Sequence, residues 1–284
     1  MTILEAMKRA EESLLPNSDA RFDALCLAER AFGLAKTDLR LQGDQSVDPT
    51  EYFALVNRCA AGEPLQYILG EWEFYGLHFA VGPGVLIPRP ETEMLVDIAL
   101  EFNAQCTDAH CAMHRAQLNV VDLCAGSGCV GLSVAHHCPN ARVYLIELSG
   151  EAMPYLRENA GAYPNAEVIQ ADVRNCELCI VNCALILANP PYLELDEIAQ
   201  LSREVRLEPR MALDGGADGL DFYRVLAERW LPRLVPGGLL ACECGEGQAR
   251  EIAAMFAPYP TEILKDFNGI ERVVTARTLH TLCF

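Results

Sequence analysis

The stretch LILANPPY at 185–192 runs four apolar residues into an asparagine, two prolines and a tyrosine. Cys183 and Ala184 precede it, so it reads as a strand buried on both faces that ends in a stiff turn. Each proline fixes its own φ and carries no amide donor, which makes Asn189, Pro190, Pro191 and Tyr192 a rigid edge of hydrogen-bond acceptors. Such an edge suits a planar NH2 group. The Asn189 side-chain oxygen and the Pro190 carbonyl accept its two N–H bonds, and the nitrogen lone pair is left facing an electrophilic carbon. Tyr192 is expected to pack on the flat face of that target and exclude water. The plainer alternative is a strand-ending turn, where Asn-Pro is frequent.

A second group lies upstream, in DLCAGSGCVG at 122–131, where a strand hands over to a helix. Gly126, Gly128 and Gly131 have the spacing of a dinucleotide-binding fingerprint. The small residues Cys124, Ala125, Gly126, Ser127 and Gly128 let backbone amides approach a ligand at the helix N-terminus. Glu147 ends the next apolar run, and a carboxylate there accepts both hydrogen bonds of a ribose diol. A nicotinamide dinucleotide and S-adenosyl-L-methionine would both use these parts, so the loop does not separate them. The N-P-P-Y edge does, because it has a use beside a sulfonium methyl and none beside a hydride.

These residues need a scaffold, and the chain alternates in a way that supplies one. Apolar runs at 118–124, 141–147, 166–170, 184–188 and 238–243 read as strands, and helical segments near 128–137, 149–162, 219–232 and 246–257 separate most of them. That pattern predicts an α/β fold with a mostly parallel sheet of seven strands. The last two strands, 261–266 and 271–276, are joined by Asn268-Gly269 and read as an antiparallel hairpin at one edge. Pro154 falls inside the second of these helices and is expected to distort its first turns. Residues 1–75 read as an all-helical domain, with Ile3, Leu4, Met7, Ala10 and Leu14 and then Phe22, Leu25, Ala28 and Leu34 on apolar stripes. Residues 76–117 read as a hairpin linker and connecting helix with an insertion, and 118–284 as the ligand-binding domain.

The 284 residues carry a formal charge of −18, which opposes broad binding to phosphate backbones. The densest basic group, Arg203, Arg206 and Arg210, is interleaved with Glu204 and Glu208, so no direct nucleic-acid contact is expected. No apolar run is long enough to span a bilayer, and the cysteines sit mostly within apolar runs; a monomer in the reducing cytoplasm is expected. CTDAHCAMH at 106–114 and CELCIVNC at 176–183 offer thiols and imidazoles at short spacing, without the paired CxxC pattern of a zinc site. Cys106, His110, Cys111, His114, Cys176, Cys179 and Cys183 are therefore read as loop and core residues, with no metal expected.

Taken together, the loop, Glu147 and N-P-P-Y resemble the Rossmann-like S-adenosylmethionine-dependent methyltransferases that act on planar NH2 groups. GEPLQYILG at 62–70, VLIPRPETE at 85–93, Glu208-Pro209, DGGADGL at 214–220 and the turn Pro236-Gly237-Gly238 resemble one branch, the release-factor glutamine N5-methyltransferases (PrmC/HemK). The resemblance implies methylation of the glutamine in the Gly-Gly-Gln loop of class-1 peptide chain release factors. It implies that Cys124 to Gly128 wrap the methionine end of the cofactor, supported by Asp122, and that Glu147 holds the ribose. Asp172 and Val173 would flank the adenine, Asn189 to Tyr192 would clamp the glutamine, and Pro88 to Thr92 would buttress the pocket. The helical domain resembles the one that engages the release factor. The chain departs from the family at Cys124, where glycine is usual, at Glu147, where aspartate is commoner, and at Val173, where an aromatic is frequent. A base-directed N-methyltransferase acting on exocyclic amines of rRNA or DNA is the alternative, and it would be expected to carry a basic docking surface.

Overall fold

The computed structural model describes residues 1–15, 19–107, 118–175 and 183–279. The chain forms two compact units, Met1–Glu71 with Ser202–Leu207, and Trp72–Leu201 with Glu208–Phe284. Most of the expected insertion at 104–117 and of the cysteine-rich segment 176–183 lies outside the described residues. Among the described residues no group of three or more His, Cys, Asp or Glu could hold a metal ion, and no helix is long and apolar enough to cross a membrane.

The first unit consists of helices α1 (Ile3–Leu14), α2 (Ala20–Phe32), α3 (Lys36–Leu41), α4 (Thr50–Ala60) and α5 (Leu65–Leu69). Helix α1 opens on a capping box: the Thr2 hydroxyl accepts from the Glu5 amide and the Glu5 carboxylate accepts from the Thr2 amide. It buries Ile3, Ala10 and Leu14 as their spacing predicts, while Leu4 is 63% exposed and Ala6 takes the other flank of the stripe. Phe22 is likewise exposed. Buried Tyr52 donates its hydroxyl to the Ala24 carbonyl at 2.9 Å and ties α4 to α2.

The second unit begins with a hairpin, β1 (Glu71–Phe74) and β2 (Leu77–Ala80), whose two-residue turn places Tyr75 and Gly76 at φ 52° and 70°. After α6 (Glu93–Thr107) come β3 (Asn119–Leu123), α7 (Cys129–His137), β4 (Arg142–Glu147), α8 (Met153–Ala160), β5 (Ala166–Gln170) and β6 (Cys183–Ala188). The chain continues through α9 (Leu195–Ile198), α10 (Asp221–Val225), β7 (Leu234–Glu243), α11 (Ala249–Met255), β8 (Thr261–Lys265) and β9 (Glu271–Arg277). Strands β3 to β9 make one sheet in the order β5-β4-β3-β6-β7-β9-β8, parallel except for β9, which runs antiparallel to both its neighbours. The expected sheet and closing hairpin are both present.

Alternation along the strands sends side chains to two cores. Val120, Val143, Leu145, Leu185 and Leu187 meet α6, α7 and α8 on one face. Val121, Leu123, Ile146, Ile186 and Ala188 meet Tyr223, Trp230, Ile252 and Phe256 on the other. Strand β6 is buried throughout, as its unbroken apolar run requires. Pro154 does not distort its helix. Helix α8 starts at Met153, so the proline occupies the first turn, where its missing amide donor has no partner to lose.

Register fixes where the strand ends emerge. Leu123 of β3 pairs with Ala188 of β6, and Ala188 pairs with Cys242 of β7. The segments after Leu123 and Ala188 therefore leave adjacent strands at the same height. Crossovers go to opposite sides of the β3/β6 pair, and such a switch point leaves a crevice beyond the carboxyl ends of the strands.

Candidate functional site

A cavity of about 590 Å³ occupies that crevice. Every site residue expected from the sequence lines it except Gly128, Pro190 and Tyr192. Pro88, Arg89 and Thr92 of the IPRPETE segment also line it, together with Pro209 and Met211.

The glycine loop is built by two carboxylates. Asp122, 2% exposed at the end of β3, accepts from the Gly131 amide at 2.8 Å and so clips the first turn of α7 to the strand. Gly131 must be small, because a Cβ there would stand 2.9 Å from the Asp122 Cβ and would overlap Leu145. Glu147 reaches back from β4: one carboxylate oxygen accepts from the Gly126 amide at 2.8 Å, the other from the Ser149 amide at 2.7 Å. Each oxygen keeps a second lone pair for a ligand diol. Gly128, at φ 82°, serves packing, since a Cβ on it would come within 2.6 Å of Leu156. Cys124 holds φ 60° without being glycine, a conformation uncommon outside Gly, Asn and Asp, and burial pushes its thiol well up. Burial likewise pushes the Asp122 carboxyl up to about 7, against the pull of the Gly131 amide.

The far wall is formed by Asp172, Val173, Arg174, Phe222 and Val225. Arg174 hydrogen-bonds the Asp172 carboxylate, which lowers its pKa, and the guanidinium lies 5.7 Å from the Phe222 ring centroid. The Val173 carbonyl accepts from the Trp230 indole at 3.0 Å, which fixes the backbone of this wall from the core side. Phe222 supplies the aromatic surface that Val173 does not, a residue that sequence reasoning missed because it lies on a helix 49 positions downstream.

Charge narrows the choice of ligand. Asp122, Glu147, Asp172, Asp214 and Asp221 line the cavity, and its two arginines are both paired, Arg89 with Glu208 and Arg174 with Asp172. The Gly126 and Gly131 amides already donate to carboxylates. Such walls favour a cationic ligand and oppose the pyrophosphate of a dinucleotide. The residues present fit S-adenosylmethionine and not a nicotinamide dinucleotide.

At the mouth, Asn189 donates its side-chain NH2 to the Thr92 hydroxyl at 3.1 Å, and its Oδ1 accepts from none of the described residues. Pro190 and Pro191 are buried, and Tyr192 packs against the second core. Burial pushes the Tyr192 phenol up to about 12. The backbone at Tyr192 is seated on glycines. The Gly215 amide donates to the Leu193 carbonyl while the Leu193 amide donates to the Leu213 carbonyl, and a Cβ on Gly215 would lie 2.7 Å from the Tyr192 Cα. Gln248 completes the seat, donating to the Tyr192 carbonyl at 2.9 Å. This is the physical reason for the glycines of DGGADGL. Gly215→Ala is expected to lower unfolding stability by about 1–3 kcal/mol in urea titrations, because the turn must move to admit a methyl. A variant as stable as the parent would remove the seat from the account.

Glu208, 5% exposed, accepts from the Ile87 amide at 3.1 Å and pairs with Arg89, so Glu208-Pro209 staples the IPRPETE segment over the cavity. Glu243, which ends β7, accepts from the Thr92 hydroxyl at 2.6 Å. Neither acid was singled out by spacing; the available signal is a charge ending a buried apolar run, as in GLLACE at 238–243.

A family model described as the PrmC N-terminal domain matches residues 5–70, and one described as the methyltransferase small domain matches residues 95–207. A release factor glutamine methyltransferase of Geobacter sulfurreducens is 39% identical over 266 residues, covering 91% of this chain and 90% of that protein. One of Moorella thermoacetica is 36% identical, covering 97% and 98%. Among solved structures, the hMettl16 catalytic domain in complex with a 3′UTR hairpin has a TM-score of 0.55 at 12% identity, over 81% of this chain and 82% of that one, a likeness of fold. With relatives at 36% and 39% identity matched along nearly the whole chain, this protein, with its alternating α/β sheet, acid-built glycine loop and N-P-P-Y edge, is a member of the release factor glutamine methyltransferase family.

Proposed function

We propose that this protein transfers a methyl group from S-adenosyl-L-methionine to the side-chain amide nitrogen, N5, of the glutamine in the Gly-Gly-Gln loop of class-1 peptide chain release factors. The observation that carries this reading is the Asn189 oxygen, on a residue that lines the cavity one strand away from the glycine loop, with no donor from the described residues. When bound, the cofactor supplies a sulfonium methyl whose C–S bond breaks as the new C–N bond forms, leaving a neutral thioether. Cys124 to Gly128 and Asp122 hold its methionine end, Glu147 the ribose, and Asp172 and Val173 the adenine.

The protein's own work is on the amide. Asn189 Oδ1 and the Pro190 carbonyl take its two N–H bonds, so the nitrogen is held with its lone pair toward the methyl, and the positive charge that grows on it is met by two oxygen dipoles. No strong base is required, because the methylated nitrogen is acidic and releases one proton to solvent after the bond has formed. Pro191 and Tyr192 keep this edge rigid.

Incubating a release factor with the enzyme and labelled S-adenosylmethionine, followed by peptide mass spectrometry, is expected to find one added methyl on the loop glutamine. Label incorporated into ribosomal RNA or DNA instead, with none on the release factor, would assign the clamp to an exocyclic base amine.

A further inference from the structure

We propose that Thr92 and Glu243 are positioning residues that decide which way round the Asn189 amide faces, through a carboxylate–hydroxyl–amide relay. The inference rests on the methyl-transfer reading of the site and names the residues that make its acceptor an acceptor.

An asparagine side chain is nearly the same shape with its oxygen and nitrogen exchanged, so packing does not choose between the two orientations. Hydrogen bonding does. Thr92 is 2% exposed and has one proton to give, and it gives it to Glu243 at 2.6 Å. Only lone pairs then remain to face Asn189, which must turn its NH2 toward Thr92 at 3.1 Å and its Oδ1 toward the cavity mouth. In the opposite orientation Asn189 would set two N–H donors against the NH2 of a substrate amide. The three residues come from the turn before α6, the end of β6 and the end of β7, and the Ala188–Cys242 register brings the last two side by side.

The relay has a sign that protonation reverses. Ionised, Glu243 only accepts. Protonated, it donates to Thr92, and the hydroxyl proton is released to point at Asn189, which favours the wrong orientation. The groups around Glu243 act in both directions. Arg272 of β9 and Arg89 of the IPRPETE segment stabilise the carboxylate, as the Thr92 bond does, while Glu91 opposes it. Tyr192, Tyr223 of α10, Cys129 of α7 and the chain neighbours Cys242 and Cys244 lie within electrostatic reach of it, all with protons held on by burial. The net effect is dominated by burial, which pushes the Glu243 carboxyl up to about 7. Transfer is expected to fall as pH drops through that value.

The test is single-turnover methylation of a release factor at saturating S-adenosylmethionine, from pH 5.5 to 9, in the parent, Thr92→Val and Thr92→Ser. Saturation keeps the titration of Asp122 in the cofactor site out of the profile. Thr92→Val keeps the shape of the side chain and removes the hydroxyl; its rate at pH 8 is expected to fall ~30-fold and its acid limb to flatten, because Glu243 no longer addresses Asn189. Thr92→Ser is expected to recover the rate to within a few-fold and to restore the limb. Calorimetric titration with S-adenosylhomocysteine checks the fold, and a few-fold change in affinity is expected. A parent-like rate in Thr92→Val, or an acid limb that persists in it, overturns the relay and leaves the methyl-transfer reading standing. Failure of the parent itself to methylate the release factor overturns both.

Discussion

Asn189→Ala is expected to reduce the rate of methyl transfer by about 10³-fold while changing S-adenosylhomocysteine affinity by no more than a few-fold. The size follows from what the side chain does. An amide nitrogen is a poor nucleophile because its lone pair is delocalised, so the reaction depends on holding it in one orientation and stabilising charge as it appears. One acceptor of this kind is worth roughly 10²–10³ in rate, and losing it also releases the substrate amide to rotate. The cofactor effect is small because the loop and its acids are built without Asn189: Asp122 and Glu147 bond Gly126, Gly131 and Ser149. Asn189→Asp makes the argument sharper. It keeps an acceptor oxygen, yet it places a second carboxylate against the one Thr92 proton that Glu243 already takes. Its rate is expected to lie near that of the alanine variant, with a steeper loss at high pH, where both acids are ionised. Single-turnover assays paired with calorimetry separate the two effects, and a fall confined to cofactor affinity would contradict the clamp.

The parts of this site that were legible in the sequence are those in which chemistry and local structure share a few consecutive residues. LILANPPY could be read as a strand running into acceptors because burial, rigidity and function all lie within eight positions. DLCAGSGCVG was legible for the same reason. What spacing alone left dark are partners that meet only after the chain has crossed the sheet. Thr92 reaches Asn189 across 97 positions and Glu243 across 151, and Arg89 reaches Glu208 across 119. Helical periodicity gives α1 and the buried Ile3, Ala10 and Leu14, and misses only at Leu4, because Leu4 and Ala6 lie on opposite flanks of the same apolar stripe and only packing chooses between them. Pro154 looks like a defect only if the helix starts at 149, four residues early; with α8 beginning at Met153, the same residue is a favourable opener. Tyr192 packs against the second core, and the glycines at 215 and 219, which the sequence marks only by resemblance, have a mechanical purpose beneath its backbone.

Glu147 is the residue whose role the structure enlarges most, and Glu147→Gln tests it. From sequence it is a ribose acid and nothing more; in the folded protein its two oxygens are also the acceptors that hold the Gly126 and Ser149 amides. A glutamine is close to it in size but carries one oxygen and one NH2. Whichever way it turns, the NH2 meets a backbone N–H that was a partner, so the substitution replaces a charge-assisted hydrogen bond with a donor facing a donor. It also removes an acceptor from the diol. Charge-assisted bonds contribute about 1.5–3 kcal/mol each, so S-adenosylhomocysteine binding is expected to weaken by ~100-fold or more. The ligand-free protein is expected to lose stability too, because Gly126 and Ser149 no longer have a shared anchor between β3 and β4. A mere ribose contact would leave the ligand-free melting curve unchanged. Calorimetry with S-adenosylhomocysteine and thermal unfolding without it therefore separate the two jobs: a parent-like melting curve with weak binding would confine Glu147 to the ligand, and parent-like values of both would remove it from the site.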